Sequence, residues 1–264
     1  MVADVVAAGA QTRPQIRIRG AVKSFSGRVV VDVDDLVLGD QPIEGLIGPN
    51  GAGKTTLMRM VMHSIPLDRG TVSLVMAGGG EVVLSSLPAY RMARHGVVKS
   101  NQVIMDFDKL TIWDSLLLAA TEESYERPHR LFSERAAFER HEDEMRRLLD
   151  YFGFGDPAAF ARSAGEKKLL DIIRCLLLKP TFLLLDEPTA GLPEELTEKV
   201  LSVIRELAGG GTSVVIVEHD LNVIWNICDE VSFMAEGSVI LKGHPQTIRE
   251  HRTVVEKYLG EGHV

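Results

Sequence analysis

The segment Gly48-Pro49-Asn50-Gly51-Ala52-Gly53-Lys54-Thr55 constrains this chain more than any other, because it joins two elements as well as holding a motif. Gly45 to Ile47 before it is a short apolar run of strand character, and the residues after Thr55-Thr56 have the apolar spacing of a helix. Glycines at 48, 51 and 53 let backbone N–H groups curl around an anion with no Cβ in the way, and the following helix turns its positive end to the same point. Strand, glycine-rich loop and helix in that order specify a phosphate cradle. The four fixed positions of G-x-x-x-x-G-K-[ST] coincide by chance in roughly one chain of this length in a hundred. Lys54 suits the β- and γ-phosphates of a nucleotide, and the Thr55 hydroxyl suits the shell of a Mg²⁺ ion, with Thr56 beside it in the cradle.

Two more apolar runs, Phe182 to Leu185 and Ser213 to Val217, are each followed by turn chemistry and then a helical pattern. Buried strands alternating with helices give an α/β fold around a mostly parallel sheet. The early chain differs: Ile16 to Leu38 and Thr71 to Leu84 alternate apolar and polar residues, with turn signals at Ser26-Gly27 and Gly78-Gly79-Gly80. That pattern predicts an antiparallel β layer. Between Thr111 and Cys175 the period becomes helical, with Phe138, Met145, Leu148, Leu149 and Phe152 on one side, and the run Glu139 to Glu144 reads as a solvated helix face. Met1 to Gln15 has an apolar stretch with no basic residue ahead of it, and reads as a flexible tail rather than a signal peptide.

Composition narrows the function. At 264 residues and 45% hydrophobic content the chain buries a core without a metal or disulfide staple, and Cys175 and Cys228 form no spaced framework. The 37 acidic residues against 29 basic give a net charge of -8, which argues against a dedicated nucleic-acid binder. No stretch reaches the roughly 18 consecutive apolar residues of a membrane-spanning helix.

The second chemical signal is Asp186-Glu187-Pro188, where the apolar strand Phe182 to Leu185 ends abruptly in two carboxylates. Asp186 is suited to hold Mg²⁺, directly or through water, and Glu187 to polarise a water for in-line attack on a γ-phosphate. His219, in Val217-Glu218-His219-Asp220, follows another strand in the same way and is placed to contact that phosphate or orient the water. Gln102, after Gly96-Val97-Val98, carries no signal alone.

Taken in this order, these elements resemble the nucleotide-binding subunits of ATP-binding cassette (ABC) transporters over essentially the whole chain. The added feature is Ser163-Ala164-Gly165-Glu166-Lys167-Lys168 with the helix after it, which looks like the family's signature motif in its usual place upstream of the Asp186-Glu187 strand. The resemblance implies a P-loop NTPase core with a mostly parallel sheet, an N-terminal antiparallel β subdomain and an inserted α-helical subdomain. It places a single ABC ATPase domain at 16–264, with the helical part at about 108–178 and a C-terminal helical extension at about 244–264. It assigns Gln102 to sensing Mg²⁺ and the attacking water, Phe25 to stacking on adenine, and Ser163, Gly165 and Glu166 to the nucleotide of a second subunit. It further implies ATP and Mg²⁺, a second ATPase subunit completing the sites in trans, transmembrane permease subunits, an external solute-binding protein, no nucleic acid, and a peripheral location on the cytoplasmic face of the membrane.

The sequence departs from the family pattern at Arg162, Ala164 and Glu166, where Leu, Gly and Gln are frequent, and at Asn101, where an aromatic is usual. Pro193 stands where an Asp commonly mediates crosstalk between sites. The segments Gly45 to Asn50, Leu110 to Trp113, Glu218 to Asp220 and Val254 to Gly260 are most similar to subunits serving importers of branched-chain amino acids, urea and short amides. The lipopolysaccharide-export ATPase has a similar C-terminal ending. Soluble ABC-type ATPases of DNA repair or translation usually carry long insertions or two cassettes, and neither is found here.

Overall fold

A computed structural model describes residues 13–100, 110–121, 134–161 and 163–259. Two sheets and a helical layer make up the chain. Strands β1 (Gln15–Phe25), β2 (Arg28–Leu38), β4 (Arg69–Val75) and β5 (Glu81–Val83) form an antiparallel sheet in the order β2-β1-β4-β5. The second sheet runs β10-β9-β3-β8-β7-β6, from β3 (Ile43–Ile47), β6 (Val97–Lys99), β7 (Phe182–Asp186), β8 (Ser213–Val217), β9 (Glu230–Ala235) and β10 (Ser238–Gly243). All its neighbours pair parallel except β10 with β9.

The continuous apolar runs follow from burial on both faces. Along β7, Phe182 and Leu184 point to one core while Leu183 and Leu185 point to the other, and along β8 Val215 and Val217 alternate with Val214 and Ile216 in the same way. The first core is closed by helix α1 (Lys54–Val61) and the antiparallel sheet, through Leu57, Met58, Met60, Ile16, Ile18 and Leu74. The second is closed by α4 (Ala164–Leu177), α5 (Glu194–Gly209) and α6 (Leu221–Ile227). Each such side chain taken from water contributes about 1.5–3 kcal/mol, so the strands that carry the site loops are also the best anchored.

Helices α2 (Ile112–Thr121) and α3 (Glu134–Phe152) pack on α4, and Met145, Leu149 and Phe152 of α3 are buried there. The acidic run on α3 is less solvated than its sequence suggests: Asp143 is exposed, but Glu144 is half-buried and pairs with Lys179. The C-terminus adds α7 (Pro245–Glu250) and α8 (Arg252–Leu259).

The expected tail boundary at residue 15 needs correction. Gln15 starts β1, the Ser213 hydroxyl donates to the Pro14 carbonyl at 2.6 Å, and the Arg13 guanidinium donates to the carbonyls of Ala208 and Thr212 at 2.9 and 3.1 Å. Arg13 thereby satisfies backbone oxygens around the C-terminal end of α5, a partner almost 200 residues away that local sequence does not reveal.

Candidate nucleotide site

Three parallel strands end side by side. β8 lies between β3 and β7, and Val217 is level with Leu46 on one side and Asp186 on the other. The loops after these strands therefore open together at the carboxyl edge of the sheet, where α/β folds carry ligands.

The loop after β3 is packed tightly enough to require glycine. A Cβ on Gly48 would lie 2.0 Å from the Met234 carbonyl oxygen, and Gly53, at φ 102°, is the N-cap of α1 with no side chain to close it. Lys54 is 6% exposed, and its ammonium turns back to donate to the carbonyls of Gly48 and Pro49 at 2.5 and 3.1 Å. Burial holds its pKa below the usual lysine value, and the nearby carboxylates of Glu187 and Asp186 oppose that shift.

Asp186 ends β7 buried. Its carboxylate accepts from Lys99 at 3.1 Å, and its backbone N–H donates to the Ser100 hydroxyl at 2.9 Å. Lys99 closes β6, the neighbouring strand, and sequence reasoning did not single it out. Its only signal was a charge at the end of the short apolar run Val97-Val98. Glu187 turns the chain sharply at φ 51°, an uncommon conformation for a residue with a Cβ. Its N–H donates to Val217 at 2.7 Å, its carbonyl accepts from Lys168 of α4 at 2.5 Å, and its Oε1 lies 3.0 Å from His219 Nε2.

Asn50 to Thr56, Asp186, Glu187 and His219 line one cavity of about 230 Å³, joined by Val30 and Val217. Residues of three loops that the sequence singles out thus converge on one space. Thr55 and Asp186 bring a hydroxyl and a carboxylate to it, the oxygen donors that Mg²⁺ takes. Phe25 does not line the cavity; it ends β1 at 45% exposure, with the Lys23 ammonium 5.5 Å from its ring centre. Gln102, with Asn101 and Arg162, lies outside the described residues.

Ser163, Gly165 and Glu166 stand apart from this cavity, at the exposed N-terminus of α4. Ser163 is its N-cap: the hydroxyl accepts from the Glu166 N–H at 3.0 Å, and the Glu166 carboxylate accepts from the Ser163 N–H at 2.9 Å. This reciprocal cap satisfies two backbone donors. Pro193 is the N-cap of α5 and supplies no side-chain bond.

A strand, phosphate loop and helix on a parallel sheet, with a carboxylate pair at a neighbouring strand end, define a P-loop NTPase. The ABC transporter family model matches residues 34–190. The chain is 31% identical to the high-affinity branched-chain amino acid transport ATP-binding protein LivG of Salmonella typhimurium, covering 95% of this chain and 99% of that protein. It is 29% identical to the lipopolysaccharide export system ATP-binding protein LptB of Escherichia coli K12, over 92% and 96% of the two chains. A solved nucleotide-free ATP-binding cassette from an ABC transporter matches with a TM-score of 0.76 at 25% identity, over 94% of this chain and 100% of that one. The chain belongs to the ABC transporter family, as an ATPase subunit related to the ATP-binding proteins of branched-chain amino acid transport. Among the described residues, no helix is long and apolar enough to cross a membrane.

Proposed function

We propose that this chain hydrolyses Mg²⁺-ATP to power an importer of branched-chain amino acids, urea or short amides. The observation that carries the reading is the Glu187–His219 contact at 3.0 Å, opening on the same cavity as Lys54 and Asp186. A cavity of about 230 Å³ suits the phosphates rather than a whole nucleotide, since pockets for small molecules and cofactors run to roughly 300–1,000 Å³. The base then lies outside it, against the exposed ring of Phe25.

In this reading the loop Gly48–Gly53 and the N-terminus of α1 hold the phosphates, and Lys54 leaves its carbonyl partners to neutralise the β- and γ-oxygens. Thr55, Asp186 and Gln102 hold Mg²⁺, which when bound supplies charge neutralisation on the phosphates. Glu187 accepts a proton from the attacking water, and His219 keeps that carboxylate aimed and contacts the γ-phosphate. Ser163, Gly165 and Glu166 act on the nucleotide of a second ATPase subunit, identical or homologous, so each site is shared between two chains.

Residues 16–264 work as one ABC ATPase domain with a helical subdomain at about 108–178, and the stretch after Gln102 meets transmembrane permease subunits on the cytoplasmic face of the membrane. An external solute-binding protein delivers cargo to those permeases. The test is to isolate the assembled complex in mild detergent, identify its subunits, and measure ATPase activity with Glu187→Gln. Permeases with a binding protein for amino acids or amides, and loss of turnover in the variant, support the reading. Full turnover in the variant overturns it, and a lipid-export assembly redirects it to the process named for LptB.

A further inference from the structure

Three consecutive residues at the end of β8, Val217 to His219, each grip the turn after β7. The Val217 carbonyl accepts from the Glu187 N–H at 2.7 Å, and His219 Nε2 meets Glu187 Oε1 at 3.0 Å. Between them, the Glu218 carboxylate accepts from both the N–H and the hydroxyl of Thr189, at 2.8 and 2.6 Å, while its other oxygen accepts from the His219 N–H at 3.2 Å. Glu218 is 2% exposed and Thr189 7%. Neither lines the cavity.

A carboxylate buried this far is costly unless its oxygens are filled by hydrogen-bond donors. Here they are filled by three donors, all on the two loops that bear Glu187 and His219. The loops need such a tie. Glu187 sits at φ 51°, a conformation that costs on the order of 1–3 kcal/mol and persists only where its surroundings hold it. His219 is half exposed in its side chain, so packing alone does not fix its ring. A charge-assisted bond is short and directional in a way an apolar contact is not.

We infer that Glu218 and Thr189 form a buried clamp that sets the Glu187–His219 geometry, making both positioning residues for hydrolysis. This inference rests on Glu187 and His219 being the hydrolytic pair. Thr189→Val removes one donor at nearly constant shape, while Thr189→Ser keeps it. In the assembled complex, Thr189→Val is expected to lower kcat about tenfold, with KM for ATP and the number of ATP molecules bound unchanged, since small misplacements of reacting groups cost rate rather than binding. Thr189→Ser is expected to restore kcat to within about twofold of the unmodified protein. Glu218→Gln, which turns an amide donor toward a donor on one of the loops, gives the same kcat-selective loss and replaces Thr189→Val if that variant does not fold.

A merely structural role would lower the melting temperature and the count of active sites while leaving kcat per bound ATP intact. That result, or a Thr189→Ser variant as slow as Thr189→Val, overturns the clamp. Glu187→Gln measured alongside separates the two ideas. If it is inactive while Thr189→Val and Glu218→Gln turn over normally, the clamp fails and the hydrolytic reading stands. If Glu187→Gln is fully active, the reading itself falls.

Discussion

Two helix N-termini among the described residues, those of α1 and α4, are finished in opposite ways. At α1 the cap is Gly53, which supplies no side chain, and the next residue is a buried lysine. At α4 the cap is Ser163, closed by a reciprocal bond with Glu166, on an exposed surface. The first end shares one cavity with Asp186, Glu187 and His219; the second does not line that cavity. The same backbone physics thus yields a pocket in one place and a presented surface in the other, which suits the proposal that one chain supplies one half of each of two shared sites.

The largest expected effect is at the first end. Lys54→Met keeps the buried stem and removes the charge, and ATPase activity of the assembled complex should fall on the order of 10²–10³-fold while the melting temperature holds. Glu187→Gln should cost on the order of 10²–10⁴-fold in kcat with ATP binding retained, as read by equilibrium binding beside turnover.

A matched glycine pair contrasts the two ends. A Cβ at Gly48 would meet a backbone oxygen at 2.0 Å, whereas at Gly165 the nearest atom is Leu192 Cδ2 at 3.4 Å, an ordinary contact. Gly48→Ala should therefore lose about 2–4 kcal/mol of stability by denaturant unfolding. Gly165→Ala should stay within about 1 kcal/mol of the unmodified chain, since helix propensity favours alanine. Equal losses would break the contrast.

Smaller still is Ser163→Ala, which removes a cap worth about 1 kcal/mol and should lower the melting temperature by about 2–4 °C in a chain of this size.

What the sequence disclosed follows a physical division. The strand ends were legible because burial on both faces forces continuous apolar runs, which break visibly at Gly48, Asp186 and Glu218. The phosphate loop was legible because its glycines are dictated by backbone geometry. Lys99 on Asp186, Thr189 on Glu218 and Arg13 on Ala208 were not, because each bond joins residues 29 or more positions apart through a pairing that only sheet order creates. Lys242 is a further case: it sits among Asp40, Glu44 and Glu230 at 2.9–3.4 Å, bringing three carboxylates from different elements around one ammonium. Burial raises the pKa of Glu44, and Lys242 opposes that rise.

The central claim is that the exposed end of α4 serves a nucleotide bound by another chain. The most direct measurement is ATP retention by the Glu187→Gln complex after gel filtration, with and without Ser163→Glu, together with the ATP affinity of the isolated full-length chain. The account predicts that Ser163→Glu abolishes retention in the complex and leaves the isolated chain's affinity unchanged. Retention that survives Ser163→Glu, or an isolated chain that loses ATP affinity in parallel, would contradict it.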